Sequence, residues 1–489
     1  MKLMKIHILL SGLLVLIALD ANSQFSRYWN ESFSTKSALL SGAVVGGYAD
    51  ETSIFYNPSI LTDSSESTLT FSNGLAKVDF VEYQNAMGEG LGVSNWESNV
   101  ASGFISVGLY PKDAYGLVWK LAVFNKDNFD NSFKGEFRSD DNIFEQALGK
   151  ERYVGKISSR TEYNDYWYGL GIAKRFNNRL SVGGSLFFRY SSLRYEAFKS
   201  IEVAPFDSNS ILKNVAVNKI SSSLRGYCWR STLKIGVNYR VSNSVKLGMV
   251  ITTPSWNIMN SVHAESKVSY VNIVSKESAS FLPDVLYDAT GDEMNFNIKD
   301  PLSIALGLDY MRLKYRFNFT LEWFAGLKPY RLVDGRTGDI AVTKIESIEI
   351  NKEHLSYAGG GKSVFNVAVG VEKFMSNGRS WLFGFKTDFD ALNNFDYQEL
   401  SGFKTLVNAK TDYYHFSAGK NFRFLRFDVL FGLEYSLSRA KNLRSFANFS
   451  PPITVDPKDP YHLEGQRLNN MTYKGDALVI FVGITLKEN

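Results

Sequence analysis

Residues 427–438 read Phe-Asp-Val-Leu-Phe-Gly-Leu-Glu-Tyr-Ser-Leu-Ser, and this stretch decides the fold. Phe427, Val429, Phe431, Leu433, Tyr435 and Leu437 take every second place, with Asp428, Leu430, Gly432, Glu434, Ser436 and Ser438 between them. Successive side chains of a strand point to opposite faces, so one face is apolar enough for lipid and the other is mixed. Tyr315, Phe317, Phe319, Leu321 and Trp323 repeat the pattern opposite Arg316, Asn318, Thr320, Glu322 and Phe324. Working outward, period-two alternation marks fourteen stretches, roughly at 67–80, 101–110, 114–125, 157–176, 179–199, 221–241, 244–256, 301–312, 314–328, 364–375, 380–392, 411–422, 425–441 and 475–487.

Their connections alternate in length. Short polar turns fall near 111–114, 177–178, 242–244, 312–314, 376–378 and 422–425, and long excursions occupy 126–155, 256–299, 328–363 and 441–474. A soluble sandwich has no reason to keep every short connection at one end. A closed barrel in an outer membrane does, with turns facing the periplasm and long loops facing outward. An even strand count also puts both ends of the barrel on the periplasmic side. The expectation is an all-β transmembrane antiparallel barrel of about fourteen strands over residues 67–489, in the outer membrane of a Gram-negative cell and monomeric.

Composition agrees. No window after Gln24 approaches 18 uninterrupted apolar residues, so helical spans are not expected. The mean hydropathy of −0.16 suits a barrel whose every second residue faces the lumen. Aromatics make up 14% of the chain, with 36 Phe and 26 Tyr, enough for interfacial girdles, and 11 prolines leave long strands uninterrupted. A formal charge of +4 over 489 residues argues against a nucleic-acid partner. Lys2 and Lys5 precede an apolar run from Ile6 to Ala18, and Ala21-Asn22-Ser23 offers a cleavage site, so residues 1–23 read as a signal peptide. The lone cysteine, Cys228, excludes an intramolecular disulfide and lies far from any acylation site at the leader.

Residues 24–66 stand outside this rhythm. The run from Ser37 to Leu61 is too rich in small residues for a lipid-facing strand and too apolar for a solvated tail. A fourteen-stranded lumen is wider than side chains alone can fill, so a plug inside it is the economical place for this run. Pro58 removes a donor and biases Asn57 toward extended backbone, making a fixed corner. Ala49-Asp50 and Asn57-Pro58-Ser59, placed after a small-residue run and before the first strand, resemble the N-terminal hatch of FadL-type outer-membrane transporters of long-chain fatty acids and aromatic hydrocarbons. Ser59 stands where that family has alanine, and Val44-Val45 where glycine-rich sequence is more typical. The resemblance covers about 40 residues. It implies passive, hatch-gated uptake of hydrophobic or amphipathic small molecules, with Asp50, Asn57, Pro58 and Ser59 in the gate.

The inward faces carry Phe124, Trp167, Phe187, Phe324 and Leu430 among charges such as Lys120, Arg189, Lys234, Asp309, Glu322, Lys386 and Glu434. Apolar patches with a few cations suit an amphipathic ligand better than a wet porin lumen would. Candidate ligand residues are Phe55, Phe187, Phe324, Arg189 and Lys234, the two cations for a carboxylate. Aromatics in the expected loops, at 128–133 and 446–449, suit either a docking groove or loop-to-loop packing. An alternative is an outer-membrane docking or shuttle platform for secreted proteins, or a receptor for a nutrient such as haem, although no histidine cluster favours the latter. His263, His354, His415 and His462 have no metal-ligand spacing, no Gly-x-Ser-x-Gly is present, and Gly359-Gly360-Gly361-Lys362-Ser363 lacks the first glycine of a phosphate loop and is expected in a flexible loop tip. No cofactor and no enzymatic activity are expected; the partners expected are a hydrophobic small molecule and membrane lipid.

Overall fold

The computed structural model describes residues 27–487 except 31–32, 34–35, 64–67, 100–102, 111–115, 145–148, 207–213, 275–279, 338, 346–354, 393–405, 407–410, 425–426, 451–460 and 462. The expected signal peptide lies outside the described residues, as do His354 and His462. The strands in chain order are β1 (Thr68–Gln84), β2 (Val93–Asn99), β3 (Gly103–Tyr110), β4 (Leu117–Asp141), β5 (Glu151–Arg175), β6 (Leu180–Pro205), β7 (Ala216–Arg240), β8 (Val245–Thr252), β9 (Trp256–Val271) and β10 (Val285–Phe296). They continue with β11 (Ser303–Arg312), β12 (Tyr315–Phe324), β13 (Leu327–Asp334), β14 (Asp339–Ile345), β15 (Tyr357–Gly361), β16 (Val364–Phe374), β17 (Ser380–Asp388), β18 (Tyr413–Phe424), β19 (Phe427–Leu443) and β20 (Met471–Lys487).

Among the described residues there are twenty strands rather than the expected fourteen, but fourteen of them form the wall. Antiparallel pairing runs β1, β3, β4, β5, β6, β7, β8, β11, β12, β16, β17, β18, β19, β20. It then returns from β20 to β1, where Thr68 faces Lys487 and Gln84 faces Thr472. Each of these strands overlaps one of the alternating stretches, but β4 runs on to Asp141 and β5 begins at Glu151, so most of the expected loop 126–155 is strand. Their outward positions are exposed and apolar, as with Leu121 and Val123, Leu186 and Phe188, Leu306 and Leu308, Phe317 and Phe319, and Phe431 and Leu433. An apolar belt around a whole ring far exceeds the few hundred Å² that a soluble surface tolerates, and marks a lipid-facing barrel. Ring pairing satisfies backbone groups that lipid cannot.

The other six strands correct the reading of the long connections as irregular. β9 carries on the edge of β7 beyond β8, β10 pairs with β9 and β14, and β13 pairs with β15 and β10. These strands do pack apolar residues on a buried cluster, among them Val262, Tyr287, Met294 and Leu332, but bulges at Gly291/Met294, Leu327/Tyr330 and Arg331/Val333 break the period of two that would announce them. Gly359-Gly360-Gly361 belongs to buried β15 rather than a loop tip, and a Cβ on Gly359 would lie 2.5 Å from the Tyr330 ring. His263, expected in a loop, sits on β9. The aromatics expected in a loop at 128–133 sit on β4 instead, and of their two readings packing holds: Phe133 stacks on Phe446 at 4.6 Å, and Phe449 is fully buried.

The described residues between 27 and 63 lie inside the ring. They form two single-turn helices, α1 (Lys36–Leu39) and α2 (Ser53–Tyr56), followed by a 3-10 helix over Pro58–Asp63. Wall glycines make the space. Four cross-strand pairs, Gly183 with Gly236, Gly248 with Gly307, Gly370 with Gly384 and Gly419 with Gly432, face this segment. A Cβ on Gly248 would meet the Val45 carbonyl oxygen at 1.9 Å, and one on Gly307 the Gly46 nitrogen at 2.2 Å. Only a wall without side chains admits backbone this close.

Candidate functional site: a cavity between the luminal segment and the wall

The sequence-predicted gate residues hold the luminal segment together. Fully buried Asn57 donates from Nδ2 to the Val45 carbonyl at 2.8 Å, while its Oδ1 accepts from the Ser59 amide at 3.1 Å and the Ser59 hydroxyl at 2.7 Å. Asn57 thus caps the 3-10 helix that Pro58 begins, as an N-cap side chain does. Ser59 adds a hydrogen bond that alanine could not make. Asp50 joins the two helices: its carboxylate accepts from the Ser37 amide at 2.9 Å and from the Thr52 amide at 2.9 Å. Contacts to the wall then seat the segment. Asn238 Nδ2 donates to the Gly46 carbonyl at 2.7 Å, Arg316 to that of Gly47 at 3.1 Å, and Lys246 pairs with Asp63 at 2.6 Å.

Replacing Asn57 with alanine strands the buried Val45 carbonyl and Ser59 amide, at a cost of about 1–3 kcal/mol for each unsatisfied group. Amide exchange in residues 37–63 is expected to accelerate by an order of magnitude or more while the wall strands keep their protection. Uniform protection across both regions would show that Asn57 does not lock the segment.

Above the segment lies a cavity of about 90 Å³ lined by Tyr28, Phe33, Phe55, Trp167, Phe324, Arg189 and Lys234, among others. Four of the five sequence-predicted ligand residues, Phe55, Arg189, Lys234 and Phe324, line it together. Phe187 stands behind them, 6.3 Å from Phe55 and 5.1 Å from Trp167 between ring centroids. Phe33 packs edge-on against Phe124 at 4.8 Å and Phe55 at 5.3 Å. Tyr28 stacks on Phe324 at 4.3 Å. Phe33, Tyr28 and Trp29 were not singled out in the sequence, because their aromatic spacing has meaning only once the segment is seated.

The two candidate cations differ. Lys234 Nζ lies 3.9 Å above the Phe55 ring, and among the described residues no carboxylate stands within ion-pair distance of it. Arg189 stacks on Trp167 at 4.0 Å and is tied into a buried network: Asp165 at 2.6 Å and Asp300 at 2.5 Å, both also held by Arg230 at 3.3 and 2.7 Å. Burial alone would raise the Asp300 carboxyl, but Arg189 and Arg230 hold it below the ordinary carboxylate range.

A second, more polar cavity of about 100 Å³ lies across the strap Arg27–Asn30, lined by Arg27, Lys77, Glu97, Asp127, Tyr413 and His415 among others. It sits behind a weak seam. β2 prolongs β3 along β1, with Asn99 facing Lys77 and Gly103 facing Asn73, yet β2 forms no ladder with β4. Side chains bridge instead: Asn95 donates to the Ser132 carbonyl at 2.9 Å, and Glu97 accepts from the Ser132 amide at 3.0 Å. β4 itself bulges between Asn125 and Asp127.

No family model and no curated protein matches this sequence. Solved structures do. The toluene transporter TodX of P. putida superposes with a TM-score of 0.56 at 12% identity, covering 94% of this chain and 100% of that one. The toluene transporter TbuX of Ralstonia pickettii gives 0.51 at 11% identity over 94% and 100%. A Pseudomonas aeruginosa FadL homologue gives 0.50 at 12% identity over 95% and 100%. At these identities the likeness is one of fold: the chain is an antiparallel β-barrel with the fold of the FadL-type outer-membrane transporters.

Proposed function

We propose that this barrel admits hydrophobic and amphipathic small molecules passively through the outer membrane, with residues 27–63 as its hatch. The observation that carries the reading is the cavity. Its lining is largely aromatic and sets Lys234, which has no carboxylate within ion-pair distance among the described residues, against the Phe55 ring, as suits an apolar body with an anionic head. Its volume of about 90 Å³ is below the ~150 Å³ of an engineered cavity that takes up benzene. Entry therefore requires Tyr28, Phe33 or Phe55 to move, and all three belong to the hatch. The strap Arg27–Asn30 separates this cavity from the polar one, so its withdrawal joins the two and leads to the β2–β4 seam, a lateral way out. Long-chain fatty acids and aromatic hydrocarbons are the solutes of this class.

Uptake of a labelled long-chain fatty acid and of labelled toluene by cells with and without the gene tests this. Uptake is expected to depend on the gene, and Lys234→Met is expected to lower fatty-acid entry several-fold while affecting toluene far less. Equal uptake by both genotypes across several such solutes would sink the reading.

A further inference from the structure

We propose that Arg189 and Arg230 form a carboxylate site which the chain's own Asp300 occupies at rest, and that the anionic head of an incoming amphiphile displaces Asp300 and lifts the β10–β11 connection, residues 297–302, that carries it. The inference rests on the uptake reading above and adds an outer closure to it.

Two carboxylates share two guanidinium groups here, but they are not equivalent. Asp165 is fully buried and fixed in the wall, where the Ser191 hydroxyl donates to it at 2.7 Å and Trp167 Nε1 at 2.8 Å. Asp300 sits in the connection between β10 and β11, and its side chain retains 26% of its exposure. Asp300 alone of the two is on a connection and faces the cavity, so it alone has room to swing away from the arginines. Its departure would leave two buried guanidinium groups against one carboxylate, and an uncompensated buried charge costs several kcal/mol. The vacancy therefore demands an anion. The planar forks of two arginines match a carboxylate geometrically. The Nε atoms of both, buried and without a hydrogen-bond partner, leave donors to spare. A head group placed there has its tail among Trp167, Phe55 and Phe33, since Arg189 and Asp300 line the same cavity. The ligand class is a monocarboxylate with an apolar tail.

The β10–β11 connection also covers a reporter. Ile298 belongs to the same buried cluster as Cys228, the sole cysteine of the chain. The Cys228 thiol is 3.4 Å from Asn257 Oδ1, and Asn257 Nδ2 donates to Asn297 Oδ1 at 3.3 Å. Asp300 is pinned through its amide to the Ser255 hydroxyl at 2.9 Å. Raising residues 297–302 uncovers the thiol.

The test is maleimide labelling of Cys228 in the full-length protein in detergent. The unliganded protein is expected to label slowly. Decanoate is expected to speed labelling roughly tenfold or more, whereas decanol, with the same tail and no charge, does not. Asp300→Asn is expected to label fast with no ligand, its barrel verified by the heat-dependent shift in gel mobility. Decanol as effective as decanoate, or an Asp300→Asn barrel labelling as slowly as the parent, would overturn the inference. The decanoate comparison needs no variant, so it decides even where Asp300→Asn does not fold. If labelling responds as expected while cells take up neither solute, the carboxylate site stands and the uptake reading falls.

Discussion

Replacing Gly307 with valine is expected to unseat the hatch while leaving the barrel intact. A Cβ at this position would lie 2.2 Å from the Gly46 nitrogen and 2.6 Å from the Val45 carbonyl carbon, both backbone atoms. No side chain can rotate aside to relieve such a contact. The segment is held there by Asn238 on the Gly46 carbonyl at 2.7 Å, and the facing wall residue, Gly248, is equally close to Val45. Forcing extra carbons into a packed contact costs roughly 1–3 kcal/mol or more, which corresponds to a five- to hundredfold rise in the open fraction. Conductance of the purified protein in planar bilayers is expected to rise accordingly, with the heat-dependent gel shift unchanged. A valine variant that conducts like the parent would show that the segment tolerates displacement without opening a path.

The second large effect is on stability. Asp165→Ala removes the fixed carboxylate between Arg189 and Arg230, which are 3% and 0% exposed. Asp300 then faces two buried cations alone. Breaking a buried pair by deleting one partner typically costs about 3–5 kcal/mol, because the stranded charge has lost both water and counter-ion. Urea unfolding in lipid bilayers is expected to show a loss of that order. Asp300→Asn is expected to cost less, since Asp300 faces the cavity, asparagine keeps an acceptor there, and Asp165 still serves both arginines. Equal losses for the two would mean that the carboxylates are interchangeable, contrary to their different burial.

These expectations separate what alternation reveals from what it hides. Lipid imposes a strict period of two on a wall strand, and Phe427 to Leu437 shows it without interruption, so all fourteen wall strands were legible. β9, β10 and β13–β15 were not, because bulges interrupt β10 and β13 and β15 is buried on both faces, so their apolar residues keep no unbroken period of two. Asp50 and Asn57-Pro58-Ser59 were legible as a corner, being residue types whose side chains replace backbone hydrogen bonds locally. Their partners Ser37 and Val45 were not, since a hydrogen bond across 12 or 13 residues leaves no local pattern. The same holds for Arg189. Its inward face followed from parity, but its engagement with Asp300, 111 residues away, followed only from folding.

By itself the sequence determined the wall: the number of its strands, which of their faces meet lipid, the end that holds the short turns, and a leftover segment needing a place inside. Period and turn chemistry are local, and lipid makes them strict. Only the tertiary structure decided how that segment is seated on paired wall glycines, which aromatics close over the cavity, and that Arg189 is held by Asp165 and Asp300 at rest while Lys234 lies on the Phe55 ring. Those facts depend on which residues meet across the lumen, and distance along the chain says nothing about distance across a ring.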